Sequence, residues 1–93
     1  MRTYLADNML EFVNRSRIDE EIFFEIVMKG LGQNSNIKIG PKKIGPSEDF
    51  YSCSIANLPF TLFYDINYGT SIHSDNPEAL QLLSEYFNHI KED

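Results

Sequence analysis

Phe50–Ser74 reads FYSCSIANLPFTLFYDINYGTSIHS, and this stretch decides the fold. Tyr51, Cys53 and Ile55 alternate with Ser52, Ser54 and Ala56. Phe60, Leu62, Tyr64 and Ile66 then alternate with Thr61, Phe63, Asp65 and Asn67. A period of two with one polar face marks strands half buried on a core. Asn57-Leu58-Pro59 separates the two runs, and proline donates nothing to a ladder, so a turn is expected there. Closing the turn on Ala56 and Thr61 pairs Ile55 with Leu62, Cys53 with Tyr64 and Tyr51 with Ile66. That register puts every large aliphatic residue on one face, whereas a one-residue slip mixes the faces. A third strand should follow Asn67-Tyr68-Gly69, with Ile72 inward. The expected core floor is Tyr51, Cys53, Ile55, Leu62, Tyr64, Ile66 and Ile72.

Outward from the sheet, Asp75-Asn76-Pro77 is a helix start with a cap and a proline in the first turn. The helix predicted over 77–91 carries Ala79, Leu80, Leu83, Tyr86, Phe87 and Ile90 on one stripe. Upstream, 30–49 is rich in Gly, Pro, Asn and Ser. A short edge strand at 37–39 and a flexible loop at 40–49 are expected there. Asp19 can cap a helix over 19–29, with Ile18 and Phe23 spaced as a hydrophobic staple. Phe24 and Met28 widen the apolar side of that helix beyond one face. A helix this apolar is either central or touches a second subunit, so these two residues are the candidate dimer contacts. Residues 3–16 fit a first amphipathic helix, with Leu5, Met9, Leu10, Phe12 and Val13 on one side.

The expected fold is therefore α+β, within a single domain spanning 1–93. A small antiparallel β-meander of three to four strands (37–39, 50–56, 60–66, 70–74) should carry two N-terminal helices and one C-terminal helix, mainly on one face.

Composition narrows function by exclusion. The 93 residues are 42% hydrophobic and 13% aromatic, which suits one folded domain and opposes disorder. No apolar run is long enough for a membrane span, and the N-terminal residues lack a signal-peptide layout, so a cytoplasmic protein is expected. One cysteine cannot staple the fold. Fourteen acidic residues against eight basic ones give a net charge of −6, which opposes direct binding to nucleic acid.

No residue set meets the spacing of a metal or cofactor motif, and none is assigned to either role. Lys38, Lys42 and Lys43 lie among glycines but without a phosphate-loop pattern. Ser52, Asp65 and His73 would share one row of the sheet's polar face. A triad needs its base between the other two groups, together with an oxyanion hole, so no catalytic residue is assigned. Asp19, Glu20, Glu21 and Glu25 on the helix, and Phe63, Asp65 and His73 on the sheet, are the candidate partner-binding residues.

The expected function is a small acidic protein-binding module acting on a basic partner, such as an immunity protein, an antitoxin or an inhibitor of a nucleic-acid-acting protein. A small ribonuclease-like toxin is one alternative. A ligand-sensing or structural homodimer is another.

Overall fold

A computed structural model gives the structure of the protein and describes residues 1–90. The chain forms β1 (Thr3–Ala6), β2 (Met9–Phe12), α1 (Glu20–Gly32), β3 (Ile37–Ile44), β4 (Glu48–Ile55), β5 (Leu58–Asp65), β6 (Gly69–His73) and α2 (Pro77–Asn88). The strands make one six-stranded sheet in the order β1-β2-β6-β5-β4-β3. Every neighbouring pair is antiparallel. This corrects the expected three- to four-stranded meander with two N-terminal helices: there are six strands, one mid-chain helix and one C-terminal helix.

The largest correction falls on 3–16, where residues 3–12 form a β-hairpin and no helix is present. Asp7 sits in the left-handed region (φ 51°) between β1 and β2, a conformation Asp tolerates better than most residues. Leu5 faces Leu10, and Thr3 faces Phe12. β1 is then tied to the end of α2, because the Thr3 amide and hydroxyl both donate to Asn88 Oδ1, at 3.1 and 3.0 Å.

The β4–β5 register differs from expectation by four residues. Ala56 and Asn57 alone make the turn, both with positive φ (49° and 69°), and Ile55 pairs with Leu58. Two left-handed residues in a two-residue loop define the hairpin turn whose twist matches the strands. Cys53 therefore faces Phe60, and Tyr51 faces Leu62. A shift of four preserves the side-chain period, so the inward set is kept except for Ile66, which is 71% exposed in the next turn. Pro59 lies inside β5, opposite Ser54. It is tolerated because pairing with β6 begins only at Thr61, so the missing N–H falls where β6 offers no partner.

Residues 40–49, expected as a flexible loop, are instead most of the β3–β4 hairpin. Ile39 pairs with Cys53 and Lys42 with Tyr51, so Gly40 and Pro41 together oppose Ser52 as a β-bulge. A Cβ on Gly40 would lie 2.2 Å from the Ser52 carbonyl oxygen, so the bulge requires glycine. β3 is an edge strand, and its bulge, proline and lysines are features that discourage pairing with other chains.

Both helices cover one face of the sheet. α1 crosses it from β6 to β3, and α2 lies under β1, β2, β4 and β5. Asp19 caps α1 by accepting from the Glu21 and Ile22 amides, and Asn76 caps α2 in the same way from Glu78 and Ala79. The helix expected at 19–29 starts as predicted and runs on to Gly32, while α2 ends at Asn88. The expected helix runs to 91; His89 caps α2 and Ile90 lies beyond its end, while 91 falls outside the described residues. Phe23, Val27 and Leu31 of α1 meet Leu80, Leu83 and Phe87 of α2 over Leu10, Leu62 and Ile72 of the sheet. Val27, Leu31, Leu10, Leu62, Ile72, Leu83 and Phe87 are all 0% exposed. Each such side chain stabilises the fold by ~1.5–3 kcal/mol relative to exposure.

Two substitutions test these turns. Replacing Ala56-Asn57 by Asn-Gly should raise unfolding stability by about 1 kcal/mol in urea, because the left-handed penalty on Ala56 is relieved. Gly40→Ala should lower it by about 1–3 kcal/mol; unchanged stability would mean that the bulge is not formed as described.

Candidate functional site

Three segments converge at one end of the sheet: the start of α1, the β3–β4 turn and the β5–β6 turn. The β5–β6 turn is built by Asp65, whose Oδ1 accepts from the Asn67 amide at 2.7 Å and the Tyr68 amide at 3.1 Å. Gly69 closes it at φ 81°. A Cβ on Gly69 would lie 2.5 Å from Glu20 Oε2, so the first turn of α1 rests directly on this glycine. Across the strands, Glu48 pairs with Asp65, Asp65 with Gly69, and Asp49 with Tyr64.

This end therefore gathers Asp19, Glu20 and Glu21 from the helix with Glu48, Asp49 and Asp65 from the sheet. Tyr64 stands among them, and its phenol is raised above the ordinary value of 10.0. Burial is the first cause; the charges of Glu21, Asp19, Glu20 and Asp49 add to it. Glu20 and Glu21 also suit the positive end of the helix dipole, which explains their place locally. The only ion pair among the described residues is here, Lys42 Nζ to Asp49 Oδ2 at 3.4 Å. Both partners are partly solvated, so the pair contributes at most ~1 kcal/mol. The same end exposes Tyr68 (90%), Ile44 (80%), Ile66 (71%) and Ile22 (53%).

The second feature is the face of the sheet opposite the helices. Lys43, Phe50, Phe63, Ser71, Glu11 and Tyr4 run across it in one row of paired residues. The Phe50 and Phe63 rings are 5.9 Å apart, and the His73 ring meets Phe63 edge-on at 4.6 Å. Phe63, a candidate partner-binding residue, is half-buried by these rings and carries no helix above it.

Phe63, Asp65 and His73 thus share a face, and Asp65 joins the acidic end with Asp19, Glu20 and Glu21. Glu25 is exposed one helical turn further along α1. The Ser52, Asp65 and His73 row is not assembled. Ser52 and His73 both oppose Thr61, and Asp65 opposes Gly69. His73 Nε2 lies instead 3.2 Å from Ser71 Oγ. Phe24 and Met28, the expected dimer contacts, are half-buried against this chain's own core. The Phe24 ring lies 5.0 Å from Tyr64 and 5.8 Å from Tyr51. The exposed apolar residues of α1 are Ile22 and Ile26.

Tyr4, Glu11, Glu48, Asp49 and Tyr68 were missed. The first two lay in a stretch read as helix, and Glu48 and Asp49 in one read as loop. The signal that finds Tyr4 and Glu11 is the Asp7-Asn8 turn dipeptide between two short apolar runs.

No protein-family model matches the chain, and no curated protein or solved structure matches it either. Nothing in the fold or these comparisons supports the narrower expectation of an inhibitor, and it is not carried further. No helix among the described residues is long and apolar enough to cross a membrane.

The electrostatic geometry has a direct test. In the Glu20→Gln/Glu21→Gln variant the Tyr64 phenol should titrate closer to its ordinary value, followed by NMR of the ring across alkaline pH. An unmoved titration would show that the helix carboxylates do not face Tyr64. The sign for stability follows. A raised phenol pKa means the fold prefers the neutral form, so this contribution is fully present below the unfolded value and lost as pH rises through the folded one. Tyr4 and the buried Cys53 thiol are shifted in the same direction, so the fold should weaken on the alkaline side.

Proposed function

We propose that this protein is a recognition module that binds a basic surface of another protein through the acidic end of its sheet. The observation that carries this reading is the convergence of Asp19, Glu20, Glu21, Glu48, Asp49 and Asp65 around exposed Tyr68, Ile66 and Ile44. Carboxylates from three segments sum their fields, raise the encounter rate with a basic surface and discourage acidic ones. Exposed aromatic and aliphatic side chains within that field supply the desolvated anchors from which most binding energy comes. Charge without anchors would be an ordinary solubility device; anchors without charge would be unselective.

Capture from an extract of the source cells tests the proposal. A basic protein should be retained in stoichiometric amount at low salt and released as salt rises, because exposed charges are screened beyond about 8–10 Å at physiological ionic strength. Glu20→Gln/Glu21→Gln/Glu48→Gln should weaken retention at least about tenfold, and Tyr68→Ala by a similar factor. Glu78→Gln/Glu85→Gln on α2, which removes acidic charge away from this end, should leave it unchanged. Equal loss from both sets, or no basic partner at all, contradicts the proposal.

A further inference from the structure

We propose that a groove on the open face of the sheet is a socket for one arginine side chain of a basic partner segment. This deepens the recognition reading above and rests on it, since Glu48 and Asp65 belong to both the acidic end and the groove.

The groove has a structural cause. β2 stops pairing with β6 at Glu11 and Ser71, whereas β6 stays paired with β5 down to Gly69 and Asp65. The two strands part there, and a cavity of about 630 Å³ opens between them. Tyr4 and Glu11 stand on the β1–β2 side, and Glu48 and Asp65 on the β4–β5 side. Phe63, in a T-shaped contact with His73, lies between them.

The lining contains three carboxylate residues and no lysine or arginine. One Asp65 oxygen is committed to the turn amides, and no hydrogen bond occupies the other among the described residues. Glu11 acts on Tyr4, whose phenol is raised chiefly by hydrogen bonding to that carboxylate, then by burial and by its charge. Thr70 borders the groove, but it pairs with Tyr64, so its buried side chain turns to the helix-covered face and takes no part in the socket.

These features select arginine among cationic side chains. A guanidinium is planar and stacks on an aromatic face such as Phe63, while its five N–H donors point outward in a fixed fork. The fork can engage carboxylates on two sides at once. A lysine ammonium is a compact, strongly hydrated point charge, so it gains less from the aromatic floor.

The test is an NMR titration of the nitrogen-labelled protein with capped Gly-Arg-Gly tripeptide, and with analogues carrying lysine or the uncharged isostere citrulline. The arginine peptide should shift the amides of Glu11, Phe63, Thr70 and Ser71 saturably. The lysine peptide should bind at least about threefold more weakly, and citrulline should not bind. Phe63→Ala and Glu11→Gln should each weaken arginine binding at least about fivefold. Glu11→Gln leaves the aromatic floor whole and decides the matter if Phe63→Ala does not fold. Shifts confined to Asp19–Glu21, or equal binding of citrulline, would overturn the socket. The probe needs no natural partner, so this failure stands apart from failure of the wider reading, which is judged by capture with the acidic-end variants.

Discussion

The pairing of β2 with β6 is the contact on which the rest of the structure depends. It joins Leu10 to Ile72, and Ile72 to Leu62, in one row with no exposed surface. The N-terminal hairpin and the β3–β6 meander become one sheet only through this row. It also obliges the chain to cross from β2, near one edge, to β3 at the other. α1 makes that crossing, which covers Phe23, Phe24, Val27, Met28 and Leu31 and leaves Ile22 and Ile26 exposed. Contacts of such sequence separation carry a loop-closure cost that local turns avoid. The buried row offsets that cost, because each large aliphatic side chain removed from water contributes ~1.5–3 kcal/mol.

Much of the meander was legible because a period of two is robust. The β4–β5 pairing was misplaced by four residues, yet Tyr51, Cys53, Ile55, Leu62, Tyr64 and Ile72 still fall on the covered face. An even shift cannot exchange faces, so burial alone does not distinguish the two registers. The turn chemistry does. Ala56-Asn57 makes a tight left-handed turn and leaves Pro59 in a strand, which the usual bias against strand proline conceals. The N-terminal hairpin was illegible for a different reason. Apolar residues at 5, 6, 9, 10, 12 and 13 satisfy a helix period as well as two four-residue strands around a turn. The turn-prone Asp7-Asn8 pair favours the hairpin, and the distant partner β6 settles it.

The candidate site shows the same division. Asp19 as a cap and Glu20 and Glu21 in the first helical turn are visible in sequence, because their roles are local. That Glu48, Asp49 and Asp65 join them is a product of topology. The packing of Glu20 on Gly69 brings the helix start against the β5–β6 turn, and strand pairing brings β4 alongside. Each carboxylate has its own local reason to be where it is; their summed field does not follow from any one of them. Burial first, and then the charges of Glu21, Asp19, Glu20 and Asp49, raise the Tyr64 phenol. Like charges held at one end oppose the compact state, and a single solvated lysine pair offsets little of this. The proposed cationic partner would relieve the same repulsion, which would link the stability of this end to its occupation.

Hydrogen exchange of the protein, alone and with any basic protein that it captures, tests this account most directly. The account predicts slowed exchange at the start of α1, at Ile44–Asp49 and at Asp65–Ser71, with α2 unchanged. Protection confined to the outer surface of α2, with the acidic end unaltered, would contradict it.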